Sequence, residues 1–177
     1  MDRRTRKTQA LIQTHFLALL EKKPISKISV TEIAERADIG RGTFYTHYKD
    51  VYDLQDQLVL AAITEFLALF DDAYPEQHTT NFQNFANELV TYTIQNKQVF
   101  QLLLTNASEL AQLSHFKEQL ISRVIQAEVL PPTIKSRIEV SFAISGILGV
   151  LADWLNQEIT VETTELIETL ETIMTEY

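Results

Sequence analysis

Two short helices joined by a tight turn are predicted between residues 29 and 50, in the segment SVTEIAERADIGRGTFYTHYKD. Ser29 is followed three residues later by Glu32, which is the spacing of a capping box. In this arrangement each side chain hydrogen-bonds the other residue's free backbone N–H group. The first helix is therefore expected to begin near Val30.

The turn between the two helices is predicted at Asp38. Aspartate is one of the few residues besides glycine that adopt the left-handed backbone conformation found at helix ends. The small side chains of Ala34 and Ala37 allow a second helix to approach closely. Gly40 can be the N-cap of that second helix, which we expect to run from about Arg41 to Tyr48.

The outer side of the second helix has residue types that proteins use to bind DNA. Phe44 and Tyr48 share one face and can pack against the first helix. Arg41 can donate two hydrogen bonds to guanine, and Tyr45 and Thr46 can contact bases or a thymine methyl group. A helix that enters a DNA groove in this way is the second helix of a helix-turn-helix.

These residues resemble the N-terminal domain of the TetR/AcrR family of bacterial transcriptional regulators. The family motif has an I-A-x-x-A turn followed by x-G-T-x-Y-x-H-[YF], and the resemblance covers residues 5 to 60. It implies a base-facing set of Arg41, Gly42, Tyr45 and Thr46, with Thr43, His47, Tyr48 and Lys49 nearer the phosphates. Asp38 replaces the usual turn glycine. Val51 replaces a lysine found in many members, and the missing lysine should weaken binding to the DNA backbone.

The resemblance implies an all-α fold, and apolar spacing along the chain predicts about nine helices. A three-helix helix-turn-helix domain would occupy residues 1–50, and a helical ligand-binding and dimerisation domain would occupy residues 51–177. The segment GILGVLADWL is similar to the Firmicutes-type C-terminal domain of the family. The expected function is that of a DNA-binding regulator, a repressor more often than an activator. It would bind a two-fold symmetric operator as a homodimer and be released by a small-molecule effector.

The distribution of charge is consistent with a nucleic-acid partner although the net charge is −9. Residues 1–50 contain ten Lys/Arg and six Asp/Glu, giving +4, whereas residues 51–177 contain five and eighteen, giving −13. The basic end can contact phosphate while the acidic remainder is repelled. The alternative is a basic tail on an ordinary acidic protein. The cluster Arg3, Arg4, Arg6 and Lys7 can likewise lie along a phosphate strand or form a solvated tail.

Apolar residues at helical spacing predict the remaining helices. The first has the apolar residues Ile12, Phe16, Leu19 and Leu20. No alternating pattern long enough to predict a strand is present. The predicted order is Arg4–Lys23, a helix capped by Asp50 and ending before Pro75, a polar break at 75–80, a helix to Asn96, Val99–Leu104, a loop near Asn106, Leu110–Val129, Ile134–Gln157 and Val161–Tyr177.

The helix Ile134–Gln157 is predicted to form an association surface. Ser141, Ser145 and Gly149 lie on one row, where a partner backbone can approach closely. The resemblance implies a four-helix dimer interface made by residues 134–157 and 161–177 of each chain. The alternative is that this apolar helix is covered within one chain.

The second half of the chain is rich in aromatic residues, which can line a cavity for an effector or simply form the core. The candidate ligand-binding residues are Phe66, Phe70, Phe85, Tyr92, Phe100, Phe116 and Phe142, and Phe82 and Trp154 belong to the same set of aromatics. Which of them line a cavity cannot be derived from spacing. The first alternative to a regulator released by a small molecule is a regulator controlled by a protein partner, with no small ligand.

The sequence does not favour an enzyme or a cofactor protein. The four histidines, His15, His47, His78 and His115, lack the spacing of metal ligands, and no glycine-rich phosphate-binding loop is present. Asp71-Asp72 is an acidic pair with nothing beside it that positions a nucleophile. We therefore expect no catalytic residues, metal or cofactor. The second alternative to a DNA-binding regulator is a helical enzyme or carrier.

Cysteine content and apolar segments indicate a cytoplasmic protein. The chain contains no cysteine, so it has no disulfide framework. No apolar signal core is found near the first residues. The segment VSFAISGILGVLADWL is shorter than a bilayer requires and contains Asp153, so it is expected to be a buried helix.

Overall fold

The computed structural model describes residues 3–75, 82–105 and 109–176. Within these ranges the chain forms nine α-helices and no β-strand, which confirms the all-α fold and the expected number of helices. The predicted polar break at 75–80, the loop near Asn106, His78 and the helix end at Tyr177 lie wholly or partly outside the described residues.

The helices alternate with short connections along the chain. They are α1 (Arg3–Leu20), α2 (Val30–Arg36), α3 (Arg41–Tyr45), α4 (Val51–Ala73), α5 (Gln83–Gln95), α6 (Lys97–Thr105), α7 (Leu110–Ala127), α8 (Ile134–Leu155) and α9 (Thr163–Glu176). A 3-10 helix, Ile25–Lys27, follows Pro24 and was not predicted from the sequence.

Helix α3 is three residues shorter than the prediction that ended it at Tyr48. Its last turn tightens, because the His47 N–H bonds to the Phe44 carbonyl, only three residues back. The Thr46 hydroxyl donates to the Thr43 carbonyl at 2.6 Å, which satisfies a carbonyl near the helix end.

The described chain divides into two compact units, one ending at Leu60 and the other beginning at Ala61. The division falls within α4. The domain boundary predicted after residue 50 falls at the start of this helix and stays a prediction.

The first unit has a core formed by α1, α2, α3 and the beginning of α4. Helix α2 contacts both α1 and α3. Ile12, Phe16 and Leu19 of α1 are buried, as the apolar spacing predicted, and Leu20 is half-buried. Burying one such large apolar side chain contributes about 1.5–3 kcal/mol. The rest of the buried core comprises Ile28, Ile33, Phe44, Tyr48, Val51, Leu54 and Leu58.

In the second unit, α8 packs against α6 and α7, and α5 packs against α9. Ala86 and Val90 of α5 meet Leu151 of α8 and Leu166 and Leu170 of α9 in one buried cluster. This cluster packs α8 and α9 against α5.

Helix α8 is the one described helix that is long and apolar enough, by length and composition, to cross a membrane. Six of its residues, spread from Ser136 to Leu155, are nevertheless buried within the second unit. The expectation of a buried helix therefore holds for one side of α8, whereas Ile134, Ile138 and Phe142 on the same helix are exposed.

Candidate nucleic-acid interface and cavity

The start of α2 is capped as the sequence predicts, but only half of the capping box forms. The Ser29 hydroxyl accepts a hydrogen bond from the Glu32 N–H at 3.2 Å. The Glu32 carboxylate pairs instead with Lys23 and, at 3.7 Å, with Arg36. Glu32 therefore ties α2 to the segment after α1, because a cationic partner attracts its carboxylate more strongly than a neutral backbone N–H.

The turn between α2 and α3 has the backbone conformation predicted at Asp38, whose φ is 52°. The Ile39 N–H bonds to the Ala34 carbonyl at 3.0 Å, which closes the end of α2. The half-buried Ile39 side chain packs against the core of the first unit. Gly40 is then the N-cap of α3, with φ −70° and ψ 145°. The helix-turn-helix is thus fixed by the residues that the sequence analysis identified.

One side of the α3 segment belongs to the core. Phe44 is completely buried and Tyr48 is nearly so, with ring centroids 5.6 Å apart. The Gln13 side-chain amide donates to the Tyr48 hydroxyl at 3.2 Å, and burial raises the pKa of Tyr48. Tyr48 therefore lies apart from the other residues predicted to contact DNA.

The opposite side of the α3 segment is exposed. The exposed residues of the predicted DNA-binding set are Arg41, Gly42, Thr43, Tyr45, Thr46 and Lys49, and His47 is half-buried. A Cβ atom placed on Gly42 would meet nothing within 4 Å. Packing within the protein therefore does not require glycine there, and the missing side chain matters only to a molecule outside.

The connection from α3 to α4 is held by two carboxylates. Asp50 accepts the N–H groups of Tyr52 and Asp53, at 2.8 and 2.9 Å, and caps α4 as predicted. The Asp53 carboxylate accepts the Lys49 backbone N–H at 2.8 Å, and this bond lowers the pKa of Asp53. Val51, at the position where the family pattern has a lysine, is buried. The charged groups at this end of α4 are the carboxylates of Asp50 and Asp53.

The second unit contains a cavity of about 390 Å³ lined by residues of α4, α5, α7, α8 and α9. Three of the aromatic residues predicted to bind a ligand, Phe66, Phe70 and Phe85, line it. The other four do not: Phe100 and Phe116 pack around Phe66 in the core, Tyr92 contacts the same cluster, and Phe142 is 72% exposed. No group of three or more potential metal ligands occurs among the described residues.

Two polar residues of the cavity were missed by the sequence analysis. The Tyr74 hydroxyl donates to a Glu128 carboxylate oxygen at 2.8 Å. Burial raises the pKa of Tyr74, and the hydrogen bond to Glu128 adds to the effect, so the hydroxyl keeps its proton. Spacing contains a signal for both, since Tyr74 is four residues after Phe70 and Glu128 is four residues after Val124, on rows that line the cavity.

The chain matches two family models. Residues 17–58 match the model described as "Bacterial regulatory proteins, tetR family". Residues 80–176, more than half of the chain, match the TetR model described as "Transcriptional regulator C-terminal region". The chain belongs to the TetR family of bacterial regulatory proteins and is a DNA-binding transcriptional regulator rather than an enzyme.

Relatives of known structure share this fold over nearly the whole chain. A transcriptional regulator from Aquifex aeolicus VF5 has a TM-score of 0.72 at 20% identity, covering 93% of this chain and 96% of its own. NalD, the secondary repressor of the MexAB-OprM multidrug efflux pump in Pseudomonas aeruginosa, has a TM-score of 0.71 at 17% identity, covering 98% and 96%.

A relative with higher identity matches a shorter segment. The uncharacterized HTH-type transcriptional regulator YxbF of Bacillus subtilis (strain 168) is 31% identical over 68 residues. The match covers 38% of this chain and 18% of YxbF, so the chain spans a small part of that protein.

Proposed function

We propose that this protein acts in the cytoplasm as a homodimeric repressor that binds a two-fold symmetric operator and releases it when a small molecule binds. The observation that carries the proposal is the two-sided α3 segment. Phe44 anchors one side in the core, while Arg41 and Tyr45 stand exposed on a helix-turn-helix.

In this proposal the exposed side chains divide between bases and phosphates. Arg41 is suited to a bidentate contact with guanine, and Tyr45 and Thr46 to base edges or a thymine methyl group. Gly42 allows the helix to approach the DNA backbone closely. Lys49 contacts phosphate, which contributes affinity without sequence preference.

The dimer surface is supported by an exposed apolar row on α8. Ile134, Ile138 and Phe142 follow one another at four-residue spacing and are 80%, 62% and 72% exposed. A Cβ atom on Gly146 or Gly149 would meet nothing within 4 Å, so the row continues into open space. A continuous apolar surface of this kind is typical of an interface. We assign it to a second copy of the chain, with residues 134–157 and 161–177 forming the interface.

The cavity of the second unit supports control by a small molecule. Its volume of about 390 Å³ lies in the range of ligand sites. A ligand changes DNA binding only if it binds the DNA-incompetent arrangement more tightly than the competent one. A shift from almost complete to almost absent occupancy of the competent form requires a preference of about 5.5 kcal/mol.

Selection of bound sequences from a random pool of DNA duplexes tests the operator proposal. The expected product is an inverted repeat whose half-site centres lie about 34–36 Å apart, or a multiple of that distance. Enrichment of a single asymmetric half-site, or of no sequence, would overturn the proposal. A reporter promoter that contains the selected operator should then be transcribed less when the protein is present, and increased transcription would identify an activator.

A screen for ligands by melting temperature, repeated with operator DNA, tests the release step. The expected ligand raises the melting temperature of the protein and dissociates it from the operator. Capture of a protein that dissociates the operator, with no small molecule able to do so, would favour control by a protein partner.

A further inference from the structure

We propose that the effector is a lipophilic cation, with an apolar body held among the aromatic side chains of the cavity and a positive group beside Glu128. The inference rests on the proposed function, since it names the chemical class of ligand for the same cavity. Three features at one end of the cavity attract positive charge: a wall of aromatic rings, a carboxylate, and the end of a helix.

The aromatic wall consists of four rings in mutual contact. Tyr74 stacks on Phe70, with centroids 4.7 Å apart, and meets Phe85 and Phe82 edge to face at 5.0 and 5.9 Å. All four residues line the cavity. The face of an aromatic ring carries negative electrostatic potential and attracts alkylammonium groups within about 6 Å. The same faces provide apolar contact for a ligand body.

Glu128 supplies the opposite charge, and none of the described lining residues neutralises it. The residues that line the cavity in the described chain include two glutamates, Glu128 and Glu139, and no Lys, Arg or His. Among the described residues, the Glu128 carboxylate is hydrogen-bonded by the neutral hydroxyl of Tyr74 and by no cationic group. Arg123, five residues earlier on α7, is paired with Asp71 at 2.8 Å. A cationic ligand would thus supply the ion-pair partner that Glu128 lacks among the described residues.

The end of α7 adds to the negative potential at this place. Glu128 is the C-cap of the helix, and Val129 turns the chain with a φ of 50°. The Leu130 N–H returns to the Ile125 carbonyl at 3.0 Å, which closes the helix end. The C-terminal end of a helix has a partial negative charge and favours cations. The helix end and the carboxylate therefore act in the same direction.

Glu139 is expected to contribute less than Glu128. Its side chain is 62% exposed, and its carboxylate lies 3.7 Å from the Lys135 ammonium group. Water screens an exposed pair of this kind, so Glu139 acts at the edge of the cavity. Among the described lining residues an anionic ligand would meet two carboxylates and no cationic side chain, which disfavours fatty acids and organic phosphates.

Three ligands of similar size and shape but different charge test the inference on the 177-residue chain. Phenyltrimethylammonium, tert-butylbenzene and benzenesulfonate each carry a tetrahedral head on a phenyl ring and have the same number of non-hydrogen atoms. Their dissociation constants can be measured by ligand-observed NMR. The cation should bind on the order of 10-fold more tightly than the neutral compound, and the anion should bind most weakly. Equal binding of the cation and the neutral compound, or preference for the anion, would overturn the inference.

A matched pair of variants tests whether the Glu128 carboxylate is the charge that favours the cation. Glu128→Gln should remove most of the preference for the cation over the neutral compound while leaving binding of the neutral compound unchanged. Glu88→Gln removes an exposed carboxylate of α5 outside the cavity and should retain the preference. Loss of the preference in both variants, or in neither, would contradict the role of Glu128. Because the wild-type protein already distinguishes the three ligands, the test does not depend on the folding of a variant.

The same ligands separate this inference from the proposed function. Operator release is measured by fluorescence anisotropy of labelled operator DNA. Binding of the cation without release would contradict the release step while the charge preference of the cavity stands. Release by the neutral or anionic compound, with no effect of the cation, would contradict the ligand class and leave the proposed function intact.

Discussion

Phe44 and Tyr45 are consecutive residues whose rings stand at 87° to each other, with centroids 5.7 Å apart. Phe44 is completely buried in the core of the first unit, whereas Tyr45 is 50% exposed. One residue therefore stabilises the helix-turn-helix and its neighbour is available to DNA. Stability and DNA binding can be changed separately at adjacent positions.

Replacing Phe44 by alanine should destabilise the first unit. Removing a completely buried phenylalanine side chain leaves a cavity and typically costs about 3–5 kcal/mol. Urea denaturation monitored by circular dichroism measures this effect. Part of the helical signal should be lost at a lower urea concentration than in the wild type. A change below about 1 kcal/mol would contradict the burial of Phe44.

Arg41→Ala and Lys49→Ala should affect DNA binding in different ways. Arg41→Ala should relax the preference at one operator position by about 1–3 kcal/mol, because a bidentate contact with a base is lost. Lys49→Ala should weaken binding to all sequences alike and reduce the slope of log K against log salt by about one. Binding isotherms on operator, single-substituted operator and unrelated DNA measure both effects.

These two variants control for each other. Both side chains are exposed, so neither substitution should change the melting temperature. If both reduced specificity to the same extent, the division between a base contact and a phosphate contact would be wrong.

The left-handed turn at Asp38 should tolerate glycine but not a β-branched residue. With φ at 52°, Asp38→Val should lower the free energy of unfolding by roughly 1–2 kcal/mol, because a branched Cβ atom is crowded in the left-handed conformation that aspartate tolerates. Asp38→Gly should be neutral or slightly stabilising. Thermal melting of the two variants tests this, and equal melting temperatures would contradict the turn geometry.

The helix-turn-helix is largely predictable because local chemistry determines it. Ser29 and Asp38 act within a few residues of their own positions, so a cap and a left-handed turn can be inferred from sequence alone. The pairing of Glu32 with Lys23 could not be inferred in this way. It depends on how the chain folds back after α1, which brings together two residues that no helical spacing relates.

The cavity is less predictable because helical spacing shows that a face is apolar but not what covers it. Phe66 and Phe142 both lie on apolar rows, yet Phe66 is buried and Phe142 is exposed. Glu128 contacts Tyr74, 54 residues away in the sequence, and only the packing of the second unit reveals this pair.

Ile138→Glu should convert the proposed dimer into a monomer. The side chain is 62% exposed on the α8 row, and a charge placed in an apolar interface is strongly unfavourable. Leu110→Glu is a matched control, since Leu110 is 61% exposed and lies on α7 outside this row. Sedimentation velocity should show a dimer for the wild type and the control and a 20.3 kDa monomer for Ile138→Glu. Dissociation by both substitutions, or by neither, would contradict the assignment.

Binding of the Tyr45→Ala variant to the operator obtained by selection tests the central claim most directly. The claim is that the exposed side of α3 enters a DNA groove. Anisotropy titrations at fixed salt should show loss of the difference between operator and unrelated DNA, while the melting temperature and the dimer mass stay unchanged. Sequence-selective binding that persists in a folded, dimeric Tyr45→Ala protein would contradict the account.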